Sequence, residues 1–204
     1  MKKTLQGLSV FTILILSLAF KTEVLKELEI GSAIPKSDHK MMDVTGKEIS
    51  LTDVKNENGL LVVFSCNTCP YVKLSEVRIK EIAALAKMNK IGVIIVNSNE
   101  AQRDDEDSFD EMIKYSKSQA FDFSYVLDKN SQLANAFGAT RTPHIFLFDK
   151  KGLAYRGAID DNIKDAQEAK EHFLKDAIIA VAADKPLKKN STKSVGCSIK
   201  RVDD

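Results

Sequence analysis

The stretch FSCNTCPYVK, Phe64 to Lys73, sets two cysteines three positions apart between a β-branched apolar run and the start of a helical pattern. Upstream, Leu60 to Ser65 (LLVVFS) has the continuous apolar character of a strand buried on both faces. Downstream, Val72, Ile79, Ile82, Ala83 and Ala86 recur at helical spacing, with Lys and Glu between them. The unit at the centre of the chain is therefore strand, cysteine pair, helix.

Working outward, Met41 to Val54 alternates apolar and polar residues around Thr45-Gly46-Lys47, which predicts a short hairpin. Ile91 to Asn99 predicts a second buried strand. The acidic run Asp104 to Asp107 precedes a helix through Phe109, Met112 and Tyr115, where carboxylates suit the positive end of the helix dipole. Phe123 to Asp128 predicts a strand, and a short helix through Leu133, Ala136 and Phe137 closes on Gly138 as its C-cap. HIFLFD and LAYRGAI flank Lys150-Lys151-Gly152 as a β-hairpin, and a last helix is expected over 165–183, with Ala169, Phe173, Ala177, Ala180 and Val181 on one face. Strands separated by helices predict an α/β domain with a mainly parallel sheet ending in an antiparallel hairpin.

At 204 residues and 44% hydrophobic, one core and one domain are expected, over residues 41–184. Lys2 and Lys3 precede an apolar run from Leu8 to Phe20, and Ser17-Leu18-Ala19 offers small residues at a cleavage point. This predicts an export signal within residues 1–20, cleaved near residue 19, and a periplasmic or secreted protein. Membrane attachment is expected only through an uncleaved signal. Residues 21–40 read as a linker and residues 185–204 as a lysine-rich tail that carries Cys197. Basic and acidic side chains, 30 against 29, are intermixed, so no global field points to nucleic acid.

The three cysteines, Cys66, Cys69 and Cys197, are too few for a disulfide-built scaffold. Structural zinc wants four ligands, and His39, His144 and His172 are scattered. Covalent haem needs His after the second cysteine, where this chain has Pro70. A disulfide closed over two residues stabilises little by constraining the unfolded chain. Redox exchange fits better, because a cysteine between a strand end and a helix N-terminus meets unpaired N–H groups that favour thiolate. On that reading Cys66 attacks, Cys69 resolves the mixed disulfide, and Pro70 occupies a first-turn position where no N–H is needed. Elsewhere, Thr142-Pro143 opens a buried strand, where proline suggests an edge, a turn or a cis bond.

FSCNTCPYVK, GATRTPHIFLFD, YRGAIDD and the terminal VGCSIK together resemble the thioredoxin superfamily, and within it the exported redoxin or peroxiredoxin-like (alkyl-hydroperoxide-reductase-like) group, from about Gly31 to Arg201. The resemblance implies a three-layer α/β/α sandwich around a central mixed sheet. It implies catalytic Cys66 and Cys69 at the first turn of a helix, and a cis Pro143 beside them. Thr142 would present its backbone to an extended substrate segment, and Cys197 would be a third redox thiol folding back toward Cys66.

The implied activity is thiol–disulfide oxidoreduction on protein thiols and disulfides, with a separate thiol electron donor and no cofactor or metal. Two other activities share the fold: thiol peroxidation at Cys66, and copper or zinc binding without turnover. The chain departs from both parent patterns. LLVVFS lacks the buried acid that moves protons in a thioredoxin. The peroxidatic pattern Pro-x-x-x-Thr-x-x-Cys finds Gly59 and Val63 before Cys66, and Val62 and Cys66 before Cys69. Arg141 is the one candidate for polarising a peroxide, unless it is simply a solvent-facing loop arginine.

Overall fold

The computed structural model describes residues 25–202, so the expected export signal lies outside the described residues. Seven strands form one sheet: β1 (Met41–Asp43), β2 (Glu48–Ile49), β3 (Gly59–Ser65), β4 (Ile91–Asn97), β5 (Ser124–Leu127), β7 (His144–Phe148) and β8 (Leu153–Gly157), in the order β2-β1-β5-β4-β3-β7-β8. β6 (Arg141–Thr142) and β9 (Cys197–Ser198) pair separately. The helices are α1 (Leu51–Val54), α2 (Pro70–Met88), α3 (Phe109–Ser118), α4 (Gln132–Phe137) and α5 (Phe173–Ala182).

The parallel part of the sheet is confined to β3, β4 and β5, and every other pairing is antiparallel. The sheet is thus mixed rather than mainly parallel. Both crossovers that join parallel neighbours are helical, α2 between β3 and β4 and α3 between β4 and β5, as parallel pairing requires. Alternation along β3 divides the core. Leu61 and Val63 face α2, α3 and α5, while Leu60, Val62 and Phe64 face α1 and α4. This double burial explains why the strand's sequence is apolar without interruption. The result is a helix layer on each side of the sheet.

Ser50 starts α1 with a capping box, its hydroxyl accepting from Asp53 N and the Asp53 carboxylate accepting from Ser50 N. Gly138 ends α4 at φ 63°, and a Cβ there would sit 2.1 Å from the Lys26 carbonyl oxygen. That close approach belongs to a segment read from sequence as a linker. Residues 25–40 instead pack on the domain: Leu28 N donates to Phe137 O, Gly31 N donates to Leu153 O, and Leu28 and Ile34 rest on the α1–α4 core.

The C-terminal residues are likewise not a free tail. Thr192 N donates to Arg156 O, its hydroxyl is 2.7 Å from the Tyr155 hydroxyl, and Ile199 is buried.

The last helix starts at Phe173 rather than near 165, so Ala169 lies outside it. The side chains of Asp161, Asn162 and Asp165 accept backbone N–H groups of residues 164–171, competing with helical bonding. Buried Arg78 adds to this by taking the Asn162 and Ile163 carbonyls at 2.7 Å each while pairing with Asp160.

Candidate active site

β3 delivers Cys66 at its C-terminal end, and α2 begins four residues later. Pro70 is the first helical residue, where its missing N–H removes no bond, and Cys69 is the N-cap. The helix start therefore belongs to Cys69, and Cys66 lies at the strand end, one turn short of the position the resemblance implied. Both sulfur-bearing side chains are buried, Cys66 2% exposed and Cys69 4%, leaving Thr68 and Pro70 as the exposed residues of the turn.

Thr142 reaches the site from across the sheet. Its hydroxyl oxygen is 3.5 Å from Cys66 Sγ, and the Cys69 thiol donates to its carbonyl at 3.2 Å. The Thr142–Pro143 bond is cis. The Thr142 backbone edge is not open to solvent, however. β9 pairs with it in antiparallel register, Thr142 opposite Cys197 and Arg141 opposite Ser198. This pairing brings Cys197 Sγ to 2.7 Å from Cys69 Sγ. Cys197 thus joins the site, beside Cys69 rather than Cys66. All three cysteines are thiols, and Cys197 is partly exposed. Arg141 is exposed, and its Nη1 donates to Gly196 O at 3.0 Å.

Charge follows this arrangement. Cys69 lies between two other thiols, and an anion there gains S–H donors, so its thiol is held well below the ordinary value. The Cys66 thiol is the largest cause, with Cys197, Thr142 and the Val72 N–H acting in the same direction against burial. Cys66 is pushed up, because ionising it would give up its bond to Cys69 and charge a buried atom; the nearby Asp107 carboxylate adds to the effect. Cys197 is raised by its burial and then by the Cys69 charge. The lowered thiol of the site is thus that of Cys69, and that of Cys66 is raised.

Asp107 is a site residue that sequence reasoning missed. The acidic run was read as the start of α3, but the cap there is Ser108, with Asp110 and Glu111 in the first turn. Asp107 is fully buried and turned inward, accepting from Asn67 N at 2.8 Å, Asn97 Nδ2 at 2.7 Å and Asn99 Nδ2 at 2.8 Å. Tyr125 completes the network, its hydroxyl donating to Asn67 Oδ1 at 2.8 Å. The buried acid absent from β3 is supplied by a loop more than forty residues downstream. The available signal was the row of polar residues Asn97, Ser98 and Asn99 ending a buried strand, since such groups need partners when buried.

Among the described residues, no group of three or more His, Cys, Asp or Glu side chains has a geometry that could hold a metal ion. Nor is any described helix long and apolar enough to cross a membrane.

A family model described as Redoxin matches residues 29–193. The chain belongs to the Redoxin family. Its fold is thioredoxin-like, and this redoxin superposes on solved structures over most of its length. An uncharacterized conserved protein of Geobacillus kaustophilus is 27% identical, with a TM-score of 0.80 over 86% of this chain and 94% of that one. A hypothetical protein of Sinorhizobium meliloti 1021 is 28% identical, with a TM-score of 0.79 over 88% and 98%. Among curated proteins, the thiol-disulfide oxidoreductase ResA of Geobacillus thermodenitrificans (strain NG80-2) is 27% identical over 123 residues, which is 60% of this chain. The redoxin spans 65% of the length of that relative.

Proposed function

We propose that this redoxin is an exported thiol–disulfide oxidoreductase that uses Cys66 and Cys69 as a dithiol/disulfide pair on protein substrates. The observation that carries the reading is a pair of buried cysteines, Cys66 at the end of β3 and Cys69 at the N-cap of α2, both within 3.5 Å of Thr142. The kinship with a thiol-disulfide oxidoreductase supports it. Export rests on the basic and apolar pattern of residues 1–20.

The geometry supplies the chemistry. The reactive form of cysteine is the thiolate, and a stabilised thiolate is also a good leaving group. Oxidation of the pair forms one S–S bond between Cys66 and Cys69 and releases two electrons to a substrate disulfide, which becomes two thiols. Reduction by a dithiol donor reverses this. Asp107, beneath the turn, holds Asn67 and hence the loop that spaces the two sulfurs.

Insulin reduction by the full chain tests the reading. Cys66→Ser and Cys69→Ser should each abolish turnover, and full turnover by Cys66→Ser overturns it. Stopped-flow mixing with hydrogen peroxide addresses the peroxidase alternative: the oxidoreductase reading expects no rapid sulfenate, and its appearance at Cys66 or Cys69 would replace that reading.

A further inference from the structure

The reading of Cys66 and Cys69 as a redox pair leaves a steric question open. Neither sulfur faces solvent, and the backbone edge beside them is already filled by the protein's own C-terminal strand. An external partner must either lift that strand or work through it.

The strand is not built to lift. Ile199 is buried and its N–H donates to Thr140 O; Ala101 N donates to Lys200 O; Lys200 N donates to Asn99 Oδ1; and Arg201 Nη2 donates to Ala139 O. Asn99 is itself held by Asp107, so strand and cysteine turn share one buried polar anchor. Gly196 permits the close approach, since a Cβ there would lie 2.1 Å from the Thr142 carbonyl oxygen. What the strand does offer is its sulfur, more exposed than the other two and 2.7 Å from Cys69.

We propose that Cys197 is the port of this site: an outside thiol exchanges with Cys197, which passes the disulfide to and from the buried Cys66–Cys69 pair while β9 stays docked as a tethered occupant of the Thr142 edge. The proposal rests on the reading of Cys66 and Cys69 given above. In the internal step, Cys197 attacks Cys69 Sγ of the Cys66–Cys69 disulfide. The Cys69–Cys197 bond forms, the Cys66–Cys69 bond breaks, and the proton that leaves Cys197 ends on Cys66, with no net oxidation. In the external step, a thiolate of a dithiol donor attacks the partly exposed Cys197 Sγ, and Cys69 leaves as thiolate. The donor's second thiolate then closes the donor disulfide and releases Cys197. One dithiol has become a disulfide, and one protein disulfide has become two thiols.

The direction of attack has a physical basis. Cys69 is buried where Cys197 is partly exposed, and the Cys69 thiol is held below its ordinary value, so an incoming thiolate reaches Cys197 and Cys69 is the preferred leaving group of the Cys69–Cys197 bond.

The test uses the full chain with reduced glutathione as the outside thiol. Wild-type protein oxidised with one equivalent of diamide, acid-quenched and mapped by mass spectrometry, should contain both Cys66–Cys69 and Cys69–Cys197 bonds. Cys66→Ser should give the Cys69–Cys197 bond alone, and glutathione should label Cys197 over Cys69 at least tenfold. Cys197→Ser should lose glutathione-dependent reduction of its Cys66–Cys69 disulfide by at least tenfold.

Absence of the Cys69–Cys197 bond, labelling chiefly on Cys69, or a wild-type reduction rate in Cys197→Ser overturns the port. The mapping on wild-type protein reads the port without any variant having to fold. If Cys197→Ser keeps its rate while Cys66→Ser is inactive on insulin, the port fails and the pair stands. If Cys66→Ser turns over fully, the pair itself fails.

Discussion

The cysteine turn and the C-terminal strand both bring sulfur to the same place, but by opposite routes. Residues 66–69 are positioned by the elements on either side of them: β3 ends, α2 begins, and Pro70 fits the first turn. Residues 196–201 are positioned only by partners far away in sequence, with Thr142 opposite Cys197 and Lys200 between Asn99 and Ala101. The local route gives a motif that can be recognised in any ten-residue window. The nonlocal route gives a contact that no window contains, and it is this contact that brings a third sulfur to 2.7 Å from Cys69.

The largest expected effect tests whether Cys69 is the sulfur common to both regions. Cys69→Ser should reduce disulfide-exchange turnover by at least about 1000-fold, about 4 kcal/mol of transition-state stabilisation, because neither remaining thiol keeps its partner. Insulin reduction measures it, and residual activity above a tenth of wild type would dissolve the comparison.

Acid should act on the strand side. His144 opens β7 beside Pro143, is buried, and its Nδ1 accepts the Thr140 N–H at 3.4 Å, steadying the loop that pairs with the C-terminal strand. Burial first, then Arg156 and Arg141, lower it from 6.5 to about 4. Glu27 is 3.6 Å from Nε2, beyond hydrogen-bonding distance, and already pairs with Arg156, so the ring stays neutral. A lowered folded value means the unfolded chain binds the proton first. The contribution, about 3 kcal/mol at most, is fully present above pH 6.5 and is lost as pH falls toward 4. Urea unfolding at pH 7 and pH 4 measures it, and His144→Gln should show a smaller difference between the two.

Gly196→Val separates the regions directly. The added Cβ meets the Thr142 carbonyl, so β9 must part from β6, with an expected cost of about 2 kcal/mol. Iodoacetamide labelling of Cys197 should accelerate at least tenfold while α2 and the cysteine turn keep their hydrogen-exchange protection; loss of protection in both would mean that the two regions are one cooperative unit.

The smallest effect concerns their shared anchor. Asp107→Asn leaves at least one of three buried N–H donors without a good acceptor and should cost about 1 kcal/mol, measured by thermal unfolding. An unchanged stability would mean that the anchor tolerates an amide.

Much of the fold was legible because strands and helices write their periodicity into neighbouring residues. LLVVFS announced a doubly buried strand, the Ile79, Ile82, Ala83 and Ala86 stripe announced α2, and Gly138 announced the end of α4 in a left-handed conformation. The last helix was read too long because Asx turns around Asp161 and Asn162, and the reach of Arg78, outweigh local propensity. Asp107 was read as an ordinary helix-start carboxylate because its partners come from β4 and from the turn after β3.

The amino-acid sequence alone determined that a cysteine pair follows a buried strand and meets a helix start, since these depend on side-chain period and on proline's missing donor. Tertiary structure alone decided which buried acid lies beneath the turn and that a third thiol closes the edge. Both depend on contacts between atoms of chain segments far apart in sequence, separated by up to 128 residues.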